Sequence, residues 1–349
     1  MIELIKSKDD WTEIVDLIDH SDFYHTYYYH QLSKKEDEEP VLIKYTDAYN
    51  LIALPLLIRT IEGTPYFDAT SVYGYAGPLL HSEQKTFDNS EFKRELMQFF
   101  EEQKIISVFS RLHPYIDYQE CLLSGIGTTP HHNDVVNIDL THPLDIQRQQ
   151  YSSRLKTYIN KARRECTIRN GTTEEDIKIF MDLYYENMNR VHANLSYFFD
   201  ERYFYQLMLG CHFESEMLLV THNETQTVVG GAIFIKTDEI VEYHLAGTKD
   251  EYLHLNPLKL LIDEMRIRAT NENYKYFNLG GGKSSKHDSL FNFKASFSDN
   301  LRPFKLWKVI VNQEIYNELI ELEKKKIDHE IVEDYSEYFP IYRYFSQIE

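Results

Sequence analysis

Residues 240–282 read IVEYHLAGTKDEYLHLNPLKLLIDEMRIRATNENYKYFNLGGG, and the succession of elements in this stretch decides the fold class. Residues 240–246 read as a strand. Asn256-Pro257 then opens a helix, with Asn as N-cap and Pro at the first helical position, where a missing N–H costs nothing. Residues 276–279 read as a second strand, closed by Gly280-Gly281-Gly282. A strand feeding a helix start through a short loop is a generic anion site, because free N–H groups and the positive dipole end meet there. Three glycines let the backbone approach a ligand or take positive φ; the plain alternative is an ordinary loop. The stretch contains neither a P-loop nor a dinucleotide glycine fingerprint.

Outward from this stretch the chain stays mixed α/β. Upstream, strands are expected at 217–221 and 228–236. A helix bearing Ile177, Phe180, Met181, Tyr184, Tyr185 and Met188 at helical spacing comes before them. Another helix, 152–165, puts Leu155, Tyr158, Ile159 and Ala162 on its apolar face. From Arg154 to Arg169 it and its sequel carry six basic residues against Glu165 alone, in an otherwise acidic protein. A solvated face explains this, and so does a phosphate-bearing ligand. The first part of the chain offers strands at 41–45, 51–59, 105–112 and 135–140. Its helices are 11–18 and one with Phe92, Leu96, Phe99 and Phe100 on one face. Pro55 predicts an edge strand or a bulge for 51–59. A break at Thr141-His142-Pro143 separates the two halves. Downstream, Phe291-Asn292-Phe293-Lys294-Ala295-Ser296-Phe297 sets one lysine among three phenylalanines. Lys294 reads either as a snorkelling core-edge lysine or as a cation that stabilises an oxyanion. A strand near 305–312 and a charged helix follow.

The chain has 349 residues, enough for two domains. Gly and Pro are sparse (13 and 10), which excludes a disordered or collagen-like chain. The longest apolar run, 51–58, falls far short of the about 20 residues of a membrane span, and the first residues do not read as a secretion signal. Three cysteines fit a reducing, cytoplasmic setting. A net charge of −19 disfavours DNA as a partner. The 27 tyrosines suit a sugar or nucleotide cleft, or simply a biased composition. His131-His132-Asn133-Asp134 lacks a second ligand pair at metal spacing, so no metal is expected.

Several segments in this order are specific in combination. They are Tyr73-Gly74-Tyr75-Ala76-Gly77-Pro78-Leu79, Ser110-Arg111-Leu112-His113-Pro114 and Tyr158-Ile159-Asn160-Lys161-Ala162-Arg163-Arg164. The closing set is Tyr243-His244-Leu245, Asn256-Pro257, Phe277 to Gly282 and Ser289 to Phe297. Through them the chain resembles the FemABX-like transferases of the GNAT acyltransferase superfamily. The resemblance implies an α/β (α+β) fold of two tandem GNAT-like domains, each a mixed β-sheet flanked by helices. The expected division is 1–145, completed by 318–349, and 146–317.

It also implies transfer of an acyl group from acyl-CoA, or an aminoacyl group from charged tRNA, to an amine. Amino-sugar, peptidoglycan and other nucleotide- or lipid-linked envelope precursors are the expected acceptors. No permanently bound cofactor is implied. In the family's pattern the Phe-Lys dipeptide aligns with Phe293-Lys294, and that lysine stabilises the tetrahedral intermediate. Asp288, with His287 and Tyr243, lies in the segments from which a general base would come. Asn256, Lys259 and Gly280 to Gly282 are the donor-binding candidates. Tyr73, Tyr75, Arg163, Arg190 and Tyr243 are the acceptor-binding candidates. The chain lacks the long helical hairpin of some FemA-type enzymes and the Q/R-x-x-G-x-G/A loop of ordinary GNAT enzymes. A non-catalytic GNAT binding module stays open as a further reading.

Overall fold

The computed structural model describes residues 1–84, 87–210, 212–282, 288–325 and 338–345. In chain order the elements begin β1 (Ile2–Ile5), α1 (Lys8–Asp16), α2 (Tyr27–Ser33), β2 (Glu38–Thr46), β3 (Asn50–Thr60), β4 (Phe67–Thr70), β5 (Leu79–Ser82), α3 (Ser90–Glu102), β6 (Ile105–Arg111) and α4 (Gln119–Leu122). They continue β7 (His131–Asp139), α5 (Leu144–Gln149), α6 (Ser153–Glu165), β8 (Cys166–Gly171), α7 (Glu174–Arg190), α8 (Glu201–Leu209), β9 (Glu214–His222), β10 (Val228–Thr237), β11 (Ile240–Thr248) and α9 (Pro257–Asn271). The last are β12 (Tyr276–Gly280), α10 (Ser289–Ala295), β13 (Leu301–Ile310), α11 (Gln313–Lys324) and α12 (Ile341–Phe345).

Two units result. The first is Met1–His132 with the described residues from Phe304 onward; the second is Asn133–Pro303. Their limits fall inside β7 and β13 rather than at the 145 and 317 positions read from the sequence. Alternation along a strand shows which residues are buried but not which sheet the strand joins. Each unit is a mixed sheet with helices, the α/β class expected. Among the described residues no helix is long and apolar enough to cross a membrane.

In the first unit the strands run β1-β2-β3-β4-β6-β13, with β5 also on β3. Only β4 and β6 pair in parallel. Pro55 does not make β3 an edge strand. It sits opposite Leu42 of β2, and on the other side β5 takes Asn50–Ala53 while β4 takes Leu57–Thr60. The missing N–H of Pro55 falls in the gap between those two partners, where no ladder bond is lost. Trp307 of β13 is fully buried in this core, its indole N–H donating to Ile126 O at 2.7 Å.

Two histidines of this unit are buried as neutral rings. His25 Nδ1 accepts from the Asp22 N–H (2.9 Å) and its Nε2 donates to Ala76 O (2.7 Å). His30 Nδ1 donates to Thr26 O at 3.0 Å. Burial, aided by His113, pushes His25 down to about 4, and burial pushes His30 down to about 3. The unfolded chain therefore takes up protons below about pH 6.5 that the folded chain refuses. Stability is full above that pH and falls as pH drops toward 4. From pH 7 to pH 5.5 the unfolding free energy should fall by roughly 2–3 kcal/mol from these two rings together. Urea midpoints at the two pH values measure it, and equal midpoints contradict the assignment.

In the second unit the order is β7-β12-β11-β10-β9-β8, antiparallel except for β11 with β12. One face of the sheet is covered by α6, α9 and α10, which bury Ile159, Leu260, Leu261, Met265 and Phe291 against Phe234 and Phe277. The other carries α7, which Thr173 and Asp176 start with a capping box. Gly247 lets α7 approach β11: a Cβ there would stand 2.4 Å from the Leu183 backbone. Asn256, at φ 56°, and Pro257 start α9 where the sequence places it.

Candidate functional site

Strands β11 and β12 share three rungs, Ile240 with Tyr276, Val241 with Phe277 and Glu242 with Asn278. Among the described residues the ladder ends there: β11 runs on to Thr248 beside β10, and β12 ends at Gly280. The last rung is polar and buried, in strands whose neighbouring residues are apolar. Asn278 Nδ2 donates to Glu242 Oε1 at 2.9 Å, and Asn278 Oδ1 accepts from the Gly280 N–H at 2.8 Å. One buried amide thus ties a carboxylate to the start of the glycine turn.

The turn needs its glycines. Gly280 has φ 75°. A Cβ on Gly281 would lie 3.0 Å from Asp134 O, and one on Gly282 would lie 2.7 Å from the Asp288 carboxylate. Lys294 completes the arrangement. Its Nζ donates to Gly281 O at 2.8 Å. Helix α10 holds it there, since Phe291, Phe293 and Phe297 of the same segment pack into the core of this unit. Lys294 is half-buried. Burial pushes its ammonium down to about 8, against the opposing pull of Asp288 and Glu242. At neutral pH it remains mostly charged, held by the Gly281 carbonyl at the point where two parallel strands separate. An ammonium so placed can meet negative charge that develops during a reaction without reorganising.

Asp288 serves α10 as N-cap, accepting from the Phe291 N–H at 2.8 Å. Phe293 supports Lys294 through packing, edge-on to Phe297. Tyr243 leans on the apolar core beside Phe234, and burial raises its hydroxyl well above the ordinary tyrosine range. His287 lies outside the described residues.

At the start of α9, Lys259 Nζ donates to Asn256 Oδ1 at 2.7 Å and stands 4.2 Å from the centre of the Tyr158 ring. Arg154 donates to the Tyr158 hydroxyl at 2.6 Å. Burial, with Arg154 adding to it, lowers the Lys259 pKa. Two cations on one tyrosine beside a helix start give this end of the unit a positive field.

Other candidates are engaged elsewhere. Arg163 pairs with Asp263 (2.8 Å) and Glu264 (3.1 Å) of α9. Arg190 pairs with Asp250 (3.1 Å) and donates to Asn187. Tyr73 and Tyr75 belong to the first unit, where Tyr75 sits edge-on to Tyr24 and Phe304. Sequence reasoning missed Glu242 and Asn278. The available signal was two polar side chains inside strands that are otherwise apolar.

Comparison with known proteins bears on the family and the fold. Residues 212–302, which include β9 to β12 and α10, match the model of the FemAB family. The chain superposes on the crystal structure of FemX with a TM-score of 0.67 and 14% identity, covering 90% of this chain and 99% of that one. A conserved protein of unknown function from Bacteroides thetaiotaomicron superposes with a TM-score of 0.59 and 12% identity, covering 88% of this chain and 100% of that one. No curated protein matches the chain in sequence.

Proposed function

We propose that this chain, FemAB-like across its catalytic segment and FemX-like in fold, is an N-acyltransferase that moves an acyl group from acyl-CoA to an amine. The acceptor in this reading is a cell-envelope or polysaccharide precursor such as an amino sugar. The observation that carries it is Lys294, a half-buried cation fixed to the Gly281 carbonyl beside the opening between β11 and β12. A neutral amine attacks the thioester carbonyl, and the carbonyl oxygen becomes an oxyanion that Lys294 stabilises. Collapse of the tetrahedral intermediate expels the CoA thiolate. Lys259 and Asn256 at the start of α9 suit the donor's pyrophosphate. A merely structural module has no need of a lysine kept charged away from bulk solvent.

A second donor, aminoacyl-tRNA with a peptidoglycan precursor as acceptor, draws on α6. Arg154, Lys156 and Arg164 form no ion pair with a described carboxylate, which leaves them for a polyanion. The patch is thinned, because Arg163 and Arg169 are engaged with Asp263 and Asp176.

The test is thermal melting with saturating acetyl-CoA and with free CoA, followed by thiol release when glucosamine is added. A ligand at 100 times its Kd stabilises by about 2.7 kcal/mol, which moves the melting point by several degrees. Shifts with both ligands and amine-dependent thiol release are expected. If neither ligand shifts the melt and no thiol is released, the acyl-CoA reading fails and charged tRNA takes its place.

A further inference from the structure

Acyl transfer to an amine needs a proton acceptor, and among the described residues the groups around Lys294 are committed to other tasks. Asp288 caps α10. Glu242 accepts from Asn278 and balances the Lys294 charge. The Tyr243 hydroxyl is raised by burial and packs on the core. One polar pair in the same unit is not accounted for by packing. His244 Nε2 and the Tyr203 hydroxyl lie 2.7 Å apart, both buried.

The backbone brings His244 to this place. In the ladder of β11 with β10, Tyr243 faces Phe234 and Leu245 faces Ile233, so His244 is the extra residue of a bulge. Bulges re-aim a side chain and are frequent beside active sites. This one begins directly after Glu242, the last residue that β11 pairs with β12. His244 therefore stands at the opening whose other side is the Gly280 to Gly282 turn that holds Lys294. Its partner is fixed just as firmly. The Phe199 ring stacks on Tyr203 at 4.2 Å and 15°, and the Tyr203 N–H donates to the N-cap Asp200 at 2.8 Å. An imidazole in an aromatic wall, oriented by a phenol, is a costly choice for a core and a useful one for a proton transfer.

We propose that His244 is the catalytic proton acceptor for the attacking amine and that Tyr203 is its positioning residue. The step rests on the acyl-transfer reading above. The ammonium of the acceptor gives one proton to the His244 imidazole, which becomes an imidazolium hydrogen-bonded to Tyr203. The neutral nitrogen forms the new C–N bond, the C–S bond of the thioester breaks with its electron pair leaving on the thiolate, and the nitrogen, now part of the amide, releases its second proton to water. The imidazolium returns its proton to the thiolate or to water.

Two measurements test it. In the resting enzyme with 15N-labelled histidine, the signal that disappears in His244→Gln should titrate while the enzyme stays folded, and Tyr203→Phe should move its midpoint. In turnover, His244→Gln should lower kcat about 100-fold or more and abolish the acid limb of the pH–rate profile. Hydroxylamine, which is neutral at pH 7, should recover most of the loss because it needs no proton acceptor to attack. Tyr203→Phe should lower kcat less and shift the acid limb. Melting curves with and without acetyl-CoA confirm that both variants are folded and bind donor. A His244 that does not titrate in a folded enzyme that transfers acyl groups overturns the assignment. So does a His244→Gln variant with an intact acid limb, or one that hydroxylamine does not rescue. A wild-type chain that neither binds CoA nor acylates any amine overturns the parent reading and this step with it, whatever His244 titrates.

Discussion

Replacing Lys294 by methionine should lower kcat by about 100- to 1000-fold while leaving donor binding in place. That is the range seen when a single oxyanion-stabilising donor is removed. Methionine keeps the unbranched stem, so the packing of α10 through Phe291 and Phe297 should survive. The loss lies in one charge and one hydrogen bond, Nζ to Gly281 O. An interaction made mainly in the transition state lowers kcat and kcat/KM together and leaves the acceptor's KM nearly unchanged. A pH profile gives a second readout. Lys294 sits at about 8, so its charge, and the activity that depends on it, should fall as pH rises through that value. The Met variant should lose this alkaline limb along with its turnover. Normal kcat in Lys294→Met removes the lysine from the mechanism, whatever happens to the rest of the proposal.

Asp68→Ala should be the most destabilising single change in the first unit, by about 3–5 kcal/mol. Asp68 is fully buried. Its Oδ1 takes the Arg59 Nε–H at 2.7 Å, and its Oδ2 takes the Arg343 Nε–H at 2.8 Å and the Tyr342 hydroxyl at 3.0 Å. Ser107 donates to the same Tyr342 oxygen at 2.8 Å. Arg343 also donates to Thr60 O at 2.6 Å. Removing the carboxylate leaves two guanidinium groups and a phenol around an empty site, which is the costly way to break a buried ion pair. Most single domains have only about 5–15 kcal/mol in total. The urea midpoint of Asp68→Ala should drop accordingly, and α12 should become the first site of proteolytic cleavage. An unchanged midpoint means that the cluster contributes nothing net.

The strand, helix and strand of 240–282 were legible because every signal there is local: alternation, an Asn-Pro cap and a glycine run. Short strands were not. β1, β4 and β5 have four residues each, too few for a period-2 pattern to stand out. β8, Cys-Thr-Ile-Arg-Asn-Gly, ends in polar residues that read as a loop. Pro55 misled because an internal strand can have two short partners on one side with a gap between them. The site divides in the same way. Lys294 stands out among phenylalanines, whereas Arg163 and Arg190 looked available because their carboxylates lie 100 and 60 positions away in sequence. Glu242 and Asn278 gain their meaning only from the rung that pairs them.

The first unit is assembled from two stretches of chain separated by the whole of the second. During synthesis the second unit has all its strands by residue 303, before most of β13 has emerged. It can therefore fold on the ribosome as a unit of its own. The first unit cannot. Its edge at β6 stays unpaired until β13 arrives and brings Trp307, and Asp68 waits longer still for α12. Of these two units, the one whose translation starts first is thus the one that finishes last. Until then it presents an open strand edge and a buried-type carboxylate to the cytosol of any host that expresses it. Low yield or aggregation on truncating the C-terminal segment would follow from this order of assembly rather than from any loss at the candidate site.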